Sequence, residues 1–210
     1  ILLSLLMIKP LSAQTPTDTV AVESDVKIKE LVLPVALIGV GSLGFVEPVQ
    51  SFRYEVRDRL DEWRGERRFH ADDYMQYLPL ASVYGVSLLG EEAKNSYLDR
   101  TLELVTSYIA LGVMVNGIKY TVREPRPDGT ANNSFPSGHT AQAFTTAFAF
   151  FFAKSKLTKP MFVFACIMAF TRLYLSVHYP TDILGGIVLG CISGYIGYKL
   201  VEFIQMKRAH

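Results

Sequence analysis

The chain has 210 residues, enough for one domain, and half of them are hydrophobic. Its formal net charge is +1 without a concentrated basic face, which excludes a nucleic-acid partner. Charged residues gather at 53–73, 91–100, 119–128 and 154–159, and the stretches between them are almost uncharged. This alternation is typical of a polytopic helical membrane protein, because bilayer-spanning helices satisfy their backbone internally and exclude charge.

The N-terminal part divides into three pieces. Residues 1–13 are predicted to be the remnant of a signal peptide. An apolar run there leads to Leu11-Ser12-Ala13, which resembles a small-residue cleavage site. Residues 14–30 are polar and predict a flexible lead-in. The remainder, residues 31–206, is predicted to form one transmembrane domain.

Six apolar segments follow in this domain, at 31–46, 74–89, 102–118, 140–153, 161–177 and 183–204. A span needs about 20 residues, so the third must begin near Asn95 and the fourth at Ser137 to cross. Between the first two segments, residues 49–68 carry Trp63 and six arginines among acids, which predicts an amphipathic helix on the membrane surface. The expected fold is all-α, a polytopic bundle of about six transmembrane segments with this surface helix.

The orientation follows from basic residues in short loops. Lys154, Lys156 and Lys159, with Lys207 and Arg208, predict cytoplasmic positions, so the ends of the third and fifth segments face outward. A cleaved leader followed by six crossings would reverse this, so either the leader is retained or residues 31–46 do not fully cross. The arginines of residues 53–68, counted as a loop signal, would favour the opposite orientation.

The first candidate motif, residues 119–127, directly follows the third segment with the sequence KYTVREPRP. Lys119 and Arg126 are either a basic flank snorkelling at a membrane surface or two cations that neutralise one anion. Arg126 can offer two donors to phosphate oxygens, whereas Lys119 acts as a point charge. Pro125 and Pro127 would fix the backbone that aims Arg126.

The second candidate motif, FPSGHT at residues 135–140, opens the fourth segment. Its ordinary interpretation is a helix start, with Ser137 as the capping residue. The same helix start offers free backbone N–H groups and the helix dipole to an anion. Gly138 would let an oxyanion approach the backbone, and His139 could protonate a departing oxygen.

The third candidate motif combines Arg172, His178 and Asp182. Arg172 falls inside an apolar run, where a charge is costly and indicates function unless it snorkels from a helix end. His178 and Asp182 would share one face of a continuous helix, but Pro180 is expected to interrupt it. Asp182 is then either the cap of the next helix or the acceptor that fixes the His178 tautomer for attack by the other ring nitrogen.

Together the three motifs resemble the signature of the type 2 phosphatidic acid phosphatase (PAP2) and vanadium haloperoxidase superfamily. That signature reads Lys-x6-Arg-Pro, Pro-Ser-Gly-His and Ser-Arg-x5-His-x3-Asp. It matches here at Lys119 to Pro127, at Pro136 to His139, and at Arg172, His178 and Asp182, and it departs at Thr171, where serine is usual. The motifs cover residues 119–182, and the six-segment layout extends the resemblance over most of the chain after residue 30.

The resemblance implies a role for each matched residue. His178 attacks phosphorus and carries a phosphohistidine, Asp182 orients it, and His139 protonates the leaving alcohol and then activates water. The implied phosphate-binding residues are Lys119, Arg126, Ser137, Gly138 and Arg172. Three fixed cations supply the electrostatic stabilisation that a metal provides elsewhere, so no metal or other cofactor is expected.

The implied function is hydrolysis of a phosphate monoester or diphosphate on a membrane lipid. Candidate substrates are a lipid A phosphate, an isoprenyl diphosphate, phosphatidylglycerol phosphate and phosphatidic acid, in a bacterial inner membrane with the site facing the periplasm. Two alternatives remain open: a lipid-to-lipid phosphotransferase using the same site, and a phosphate-binding or transport protein without turnover. Haloperoxidase chemistry is set aside, because those relatives are soluble and this chain is not.

Two further features predict packing. Gly186, Gly190 and Gly194 recur every fourth residue and indicate a face for close helix association. Cys166 and Cys191 lie in apolar stretches without CxxC spacing and are interpreted as small packing residues.

Overall fold

The computed structural model describes residues 46–66, 78–85, 95–153 and 155–209, and all regular structure among them is helical. The helices in chain order are α1 (Glu47–Arg64), α2 (Leu78–Gly85), α3 (Tyr97–Val122), α4 (Gly138–Phe152), α5 (Thr158–Tyr174) and α6 (Pro180–Ala209). The all-α prediction is therefore confirmed for these residues. The predicted leader, the lead-in and nearly all of the first apolar segment lie outside them.

Helix lengths bear on the predicted number of membrane crossings. Among the described residues, α3 and α6 are long and apolar enough to span a bilayer. Helix α3 begins at Tyr97 with the Ser96 hydroxyl accepting from the Asp99 amide, two residues after the predicted start. Helices α4 and α5 have 15 and 17 residues, fewer than the about 20 that a perpendicular span needs. Two candidate spans are thus found, and six crossings stay a prediction.

The core lies between α4, α5 and α6, and the most extensive helix contact joins α4 to α6. Phe148, Met168 and Cys191 are fully buried there. Cys191 is thus a packing residue as predicted. The same interpretation is wrong for Cys166, which is exposed on α5. Its position follows from helix periodicity, because it lies on the outward stripe with Val163 and Phe170.

The predicted glycine face of α6 is confirmed, and its partner is α4. A Cβ atom added to Gly190 would lie 2.7 Å from Phe144 Cβ and 2.8 Å from the Ala141 carbonyl oxygen. At Gly186 it would lie 2.7 Å from the Ser137 carbonyl oxygen. The two helix backbones therefore approach more closely than any larger residue permits, and this approach brings the start of α4 beside the start of α6.

Replacement of Gly190 by alanine is expected to lower the free energy of unfolding by about 1–3 kcal/mol, because the new methyl group overpacks against backbone atoms of α4. Gly117→Ala on α3 is the matched control, since a Cβ there meets nothing within 4 Å. It should leave stability unchanged or raise it by up to about 1 kcal/mol through helix propensity. Melting in detergent measures both, and equal effects would contradict the close approach.

Four helices have one end each at the part of the bundle where the three motifs lie. Helices α3 and α5 finish, and α4 and α6 begin, at the same end of the bundle. The basic residues Lys156, Lys159, Lys207 and Arg208 lie at the opposite end, in the α4–α5 connection, at the start of α5 and at the end of α6. Helix α1 packs against α5 and α6 at the site end, through contacts given below.

Candidate active site

The first motif lies on a connection that folds back on itself after α3. The Arg126 amide donates to the Ala131 carbonyl at 2.8 Å, and the Gly129 amide donates to the Arg126 carbonyl at 3.0 Å. The Ser134 amide closes the connection by donating to the Glu124 carbonyl at 2.9 Å. The backbone of Arg126 is thus held from both sides, in addition to the flanking prolines.

The two cations of this motif converge on Asn133. Lys119 Nζ donates to the Asn133 backbone carbonyl, and Arg126 Nε donates to Asn133 Oδ1 at 2.8 Å. Neither cation has a carboxylate ion-pair partner within the described part of the chain. Two positive charges held beside one neutral residue create a positive potential that favours an anion.

The second motif begins α4, with Ser137 as the residue before the first helical position. The interpretation of Ser137 as a side-chain cap is wrong, because its hydroxyl pairs with Thr140 Oγ1 at 3.0 Å and makes no capping bond. Ser137 is completely buried. Its amide donates to the Asp182 carbonyl at 3.0 Å, which ties the start of α4 to the start of α6.

The third motif spans the connection between α5 and α6. Pro180 is the first residue of α6, so it does interrupt the helix between His178 and Asp182. Asp182 Oδ2 accepts from the Tyr179 amide at 2.8 Å and lies 3.3 Å from His178 Nδ1. Asp182 is the third residue of α6, so the interpretation of Asp182 as the residue that starts this helix is wrong. Its carboxylate reaches back to the Tyr179 amide and also contacts the histidine ring.

Burial and neighbouring charges act on the protonation of His178. Burial holds the pKa of its ring below the ordinary histidine value, although the bond to Asp182 acts in the opposite direction. Lys119 and Arg126 also act to lower this pKa through their positive charge. A neutral ring that donates from Nδ1 to Asp182 leaves a lone pair on Nε2.

Arg172 lies in the last turn of α5 and is buried. Its carbonyl accepts from the Val177 amide at 3.3 Å, so the chain between Arg172 and His178 is a short closed turn. A buried guanidinium in an otherwise apolar helix is consistent with its predicted functional role and excludes the snorkelling alternative, which would expose the charged end.

A cavity of about 360 Å³ joins these elements. Five of the eight predicted site residues line it, namely Lys119, Arg126, Gly138, His139 and His178. Three do not: Asp182 lies behind His178, Ser137 is turned toward Thr140, and Arg172 is buried in α5. The cavity also extends along α3 past Asn116, Val115, Leu111 and Tyr108, and past Gln142 on α4.

Sequence reasoning missed Asn133 and Ser134. The Ser134 hydroxyl donates to Asp182 Oδ2 at 2.5 Å and lies 3.5 Å from His178 Nδ1. Ser134 is completely buried, so this bond is shielded from water. The only signal in the sequence was their position in the short linker between two motifs, which does not separate them from Thr130 and Asn132, the exposed polar residues of the same linker.

Ser134→Ala is expected to lower the rate of phosphate release about 10- to 100-fold, because a buried hydrogen bond to a charged carboxylate is worth about 1.5–3 kcal/mol. Thr130→Ala, in the same connection, is the control, since that hydroxyl bonds only to the exposed Asp128 side chain. Steady-state release from a lipid phosphate measures both variants. A wild-type rate for Ser134→Ala would show that Asp182 needs no second donor.

Helix α1 contacts the two connections that carry the first and third motifs, which the sequence did not indicate. Arg53 forms an ion pair with Glu124 at 2.8 Å, and its guanidinium lies 4.6 Å from the centre of the Tyr179 ring. The Tyr54 ring meets the Tyr179 ring edge-on at 5.5 Å. One helix thus braces the first motif at Glu124 and the third at Tyr179.

The fold and the cavity together define a class of protein: a helical bundle with a cationic pocket at one end, lined by one histidine from the first turn of α4 and one from the connection between α5 and α6. The sequence model of the PAP2 superfamily matches residues 100–205, which include all three motifs. The chain belongs to the PAP2 superfamily, and the resemblance inferred from the motifs is confirmed.

Two relatives agree with this membership. The chain is 33% identical over 161 residues to a lipid A 1-phosphatase of Porphyromonas gingivalis, covering 72% of this chain and 36% of that protein. It is 32% identical over 75 residues to the undecaprenyl-diphosphatase BcrC of Bacillus subtilis, covering 36% of this chain and 39% of that one. The matches thus span well under half of these relatives.

The fold also resembles the crystal structure of a transmembrane PAP2-type phosphatidylglycerolphosphate phosphatase from Bacillus subtilis. The TM-score is 0.60 at 21% identity, with 86% of this chain and 98% of that chain covered. At this identity the likeness shows the fold alone. It supports the helical arrangement that places the three motifs at one end of the bundle.

Proposed function

We propose that this protein is a metal-independent phosphatase that hydrolyses a phosphate monoester or diphosphate on a membrane lipid through a phosphohistidine intermediate. The observation that carries the proposal is the meeting of His178 and His139 on one cavity with the cations Lys119 and Arg126. A pocket that only held phosphate would need the cations but neither a nucleophile nor an acid. The named phosphatase activities of relatives support the same reaction class.

The first step is attack of His178 Nε2 on phosphorus. The bond between phosphorus and the leaving oxygen breaks, and His139 gives that oxygen a proton. Asp182 stabilises the positive charge that develops on the His178 ring, since its Oδ2 lies 3.3 Å from Nδ1. The second step reverses the proton movement: His139 takes a proton from water, the hydroxide attacks phosphorus, and the bond to His178 breaks.

Charge on the phosphoryl oxygens is met by fixed groups. Lys119 and Arg126 line the cavity, and the Gly138 amide stands at the N-terminus of α4, where the helix dipole favours negative charge. Arg172 is proposed to reach the same oxygens from the last turn of α5. Preorganised cations of this kind stabilise the transition state without reorganisation, which is the contribution a metal ion makes elsewhere.

The shape of the cavity favours an amphiphilic substrate. Its lining passes from the cations to Val115, Leu111 and Tyr108 along α3. Lys119 and Tyr108 are separated by 11 positions, or about 16 Å along a helix. A phosphate at the charged end therefore leaves room for an attached group beside apolar side chains. Lipid A phosphates, isoprenyl diphosphates, phosphatidylglycerol phosphate and phosphatidic acid all have this form.

The proposed location is a bacterial inner membrane with the site facing the periplasm and α1 on the membrane surface. The exposed apolar side chains Val163, Ile167 and Phe170 form a stripe along α5, and such a surface is suited to contact with lipid. The stripe continues through Tyr174, whose ring meets Trp63 of α1 edge-on at 5.7 Å. Aromatic residues at this level are typical of the membrane interface.

The basic residues at the end opposite the site favour the outward orientation of the site. The competing arginines of α1 are compensated locally. Arg53 pairs with Glu124, Arg59 pairs with Glu55, and Arg64 pairs with Asp61. A paired arginine contributes less to the charge bias that orients a membrane protein, so α1 is a weak signal.

The reaction is tested by phosphate release from the four candidate lipids in detergent with EDTA present. Release from at least one, and its inhibition by vanadate, is expected, because vanadate mimics trigonal-bipyramidal phosphorus. Absence of release from every lipid would contradict the proposal. Addition of a second lipid alcohol tests phosphotransfer, which would place the phosphate on that alcohol instead of releasing it.

Orientation is tested with one added cysteine at a time in a Cys166→Ser background, since Cys166 is exposed and the remaining Cys191 is buried. Asn132→Cys places a thiol at the site end, and Lys156→Cys places one at the opposite end. A membrane-impermeant maleimide should label position 132 in intact cells and position 156 only after lysis. The reverse pattern would place the site in the cytoplasm.

A further inference from the structure

The turn between α5 and His178 has an unusual helix end. The Leu175 amide donates to the Thr171 carbonyl at 2.9 Å, and the Ser176 amide donates to the Leu173 carbonyl at 2.9 Å. Ser176 has a φ of +53°, in the left-handed region that serine seldom adopts. These bonds close the helix but leave the carbonyl of Tyr174, the last helical residue, to find another donor.

That donor is Arg64, the last residue of α1. Arg64 Nη1 donates to the Tyr174 carbonyl at 2.6 Å and to the Ser176 hydroxyl at 2.8 Å. Its Nη2 pairs with Asp61 Oδ1 at 2.7 Å, and the Ser176 hydroxyl donates to the same Asp61 oxygen. Arg64 is only 6% exposed although it belongs to a surface helix. Its charged end is therefore committed to this turn.

These contacts have clear physical consequences for the turn. A cation at a helix C-terminus is favoured by the helix dipole and satisfies a free carbonyl. A left-handed conformation at a non-glycine residue persists only where surrounding bonds determine it, and here Arg64 and Asp61 both bind the Ser176 side chain. The turn leads from Arg172, before it, to His178, two residues after Ser176. The guanidinium thus fixes the backbone between two site residues.

We propose that Arg64 is a positioning residue for the nucleophile, holding the Tyr174–Ser176 turn so that His178 keeps its alignment with Asp182 and the cavity. Arg64 is not among the residues that line the cavity, and the side-chain contacts of its guanidinium go to Gly65, Asp61, Tyr174 and Ser176. Its effect passes through the turn alone. The proposal rests on the proposed function, because it assigns His178 as the nucleophile.

Turnover kinetics of Arg64→Gln and Arg64→Lys provide the first test. Arg64→Gln should lower kcat about 10- to 100-fold, since a misplacement of about 1 Å can cost about 100-fold, while KM changes less than about threefold. Arg64→Lys should be intermediate, because lysine can serve the Tyr174 carbonyl but lacks the second prong of the guanidinium. Arg59→Gln is the matched control on α1, since Arg59 is exposed and pairs only with Glu55.

Hydrogen–deuterium exchange of the amides at 174–178 provides a test that does not need turnover. Exchange there should rise in Arg64→Gln and stay at the wild-type level in Arg59→Gln. Ser176→Ala should reduce the further effect of Arg64→Gln on kcat, because both changes remove the same contact. Wild-type kcat in Arg64→Gln, or a loss confined to KM, would overturn the proposal.

The two proposals fail in different ways. If the wild-type protein releases phosphate from no lipid while exchange at 174–178 still rises in Arg64→Gln, the proposed function fails and Arg64 remains a structural clamp. If the wild type is active and Arg64→Gln keeps the wild-type kcat, only the positioning role fails, whatever the exchange rate.

Discussion

Replacement of His178 by glycine or alanine is expected to lower the rate of phosphate release from lipid phosphates by about 10,000-fold or more. The loss is large because a covalent mechanism cannot proceed without its nucleophile, and His139 is assigned to proton transfer instead. When catalytic residues act together, removal of one lowers the rate about as much as removal of all of them. Steady-state release in detergent, compared with wild type at equal protein concentration, measures it.

Two further observations separate a lost nucleophile from a misfolded protein. Free imidazole should partly restore release in His178→Gly, because the substitution opens a space beside Asp182 that the small molecule can fill. Rapid acid-free quenching of the wild type should trap an acid-labile, alkali-stable phosphoryl group that His178→Gly lacks. Equal release by wild type and variant, or a trapped group in the variant, would disprove the assignment of His178.

Replacement of His139 by glutamine is expected to lower the rate by an amount that depends on the leaving group. General acid catalysis contributes about 100- to 10,000-fold when the departing oxygen is that of an alcohol, as in a lipid phosphate. In an aryl phosphate made from an acidic phenol, the phenolate can leave without receiving a proton. For that substrate, His139→Gln should lower the rate of phosphoenzyme formation by about 10-fold or less. Single-turnover experiments isolate that step.

The two substrates act as controls for each other, because a folding defect in His139→Gln would lower both rates equally. The expected pattern is a steep loss for the alcohol ester and a shallow one for the aryl ester. Equal losses would assign His139 to binding or structure and leave the acid unidentified. His139 lies in the first turn of α4 and lines the same cavity as His178, so the geometry allows transfer to the leaving oxygen.

The sequence alone carried the family and most of the candidate site. Three motifs at the edges of apolar segments led to eight residues, because phosphate chemistry requires rare residue types that apolar packing does not explain. The five of them that line the cavity come from the last turn of α3, the connection after it, the first turn of α4 and the connection between α5 and α6. Helix type and approximate bounds also followed, since α3 to α6 coincide with strong apolar runs bounded by charged residues.

The number of membrane crossings was harder to predict from the sequence. Hydropathy shows which stretches are apolar, but it does not show how long the helix in each stretch is. The apolar pattern placed the end of the fourth segment at residue 153, and α4 ends at Phe152, but its 15 residues leave open whether the helix crosses the bilayer. Hydropathy also does not show which side of a helix a residue occupies. Cys166 and Cys191 both lie in apolar stretches, yet Cys166 is exposed and Cys191 is buried.

Only the tertiary structure decided which residues support the motifs. The short linker folds back, and this places Ser134 on Asp182 and Asn133 between two cations. Arg64 reaches Ser176 across 112 positions of sequence. Such contacts depend on how α1 docks against the ends of α5 and α6, and no local pattern encodes that distance. The sequence identified the candidate reacting groups, because their residue types are rare in apolar helices, while long-range packing determined which residues hold them in place.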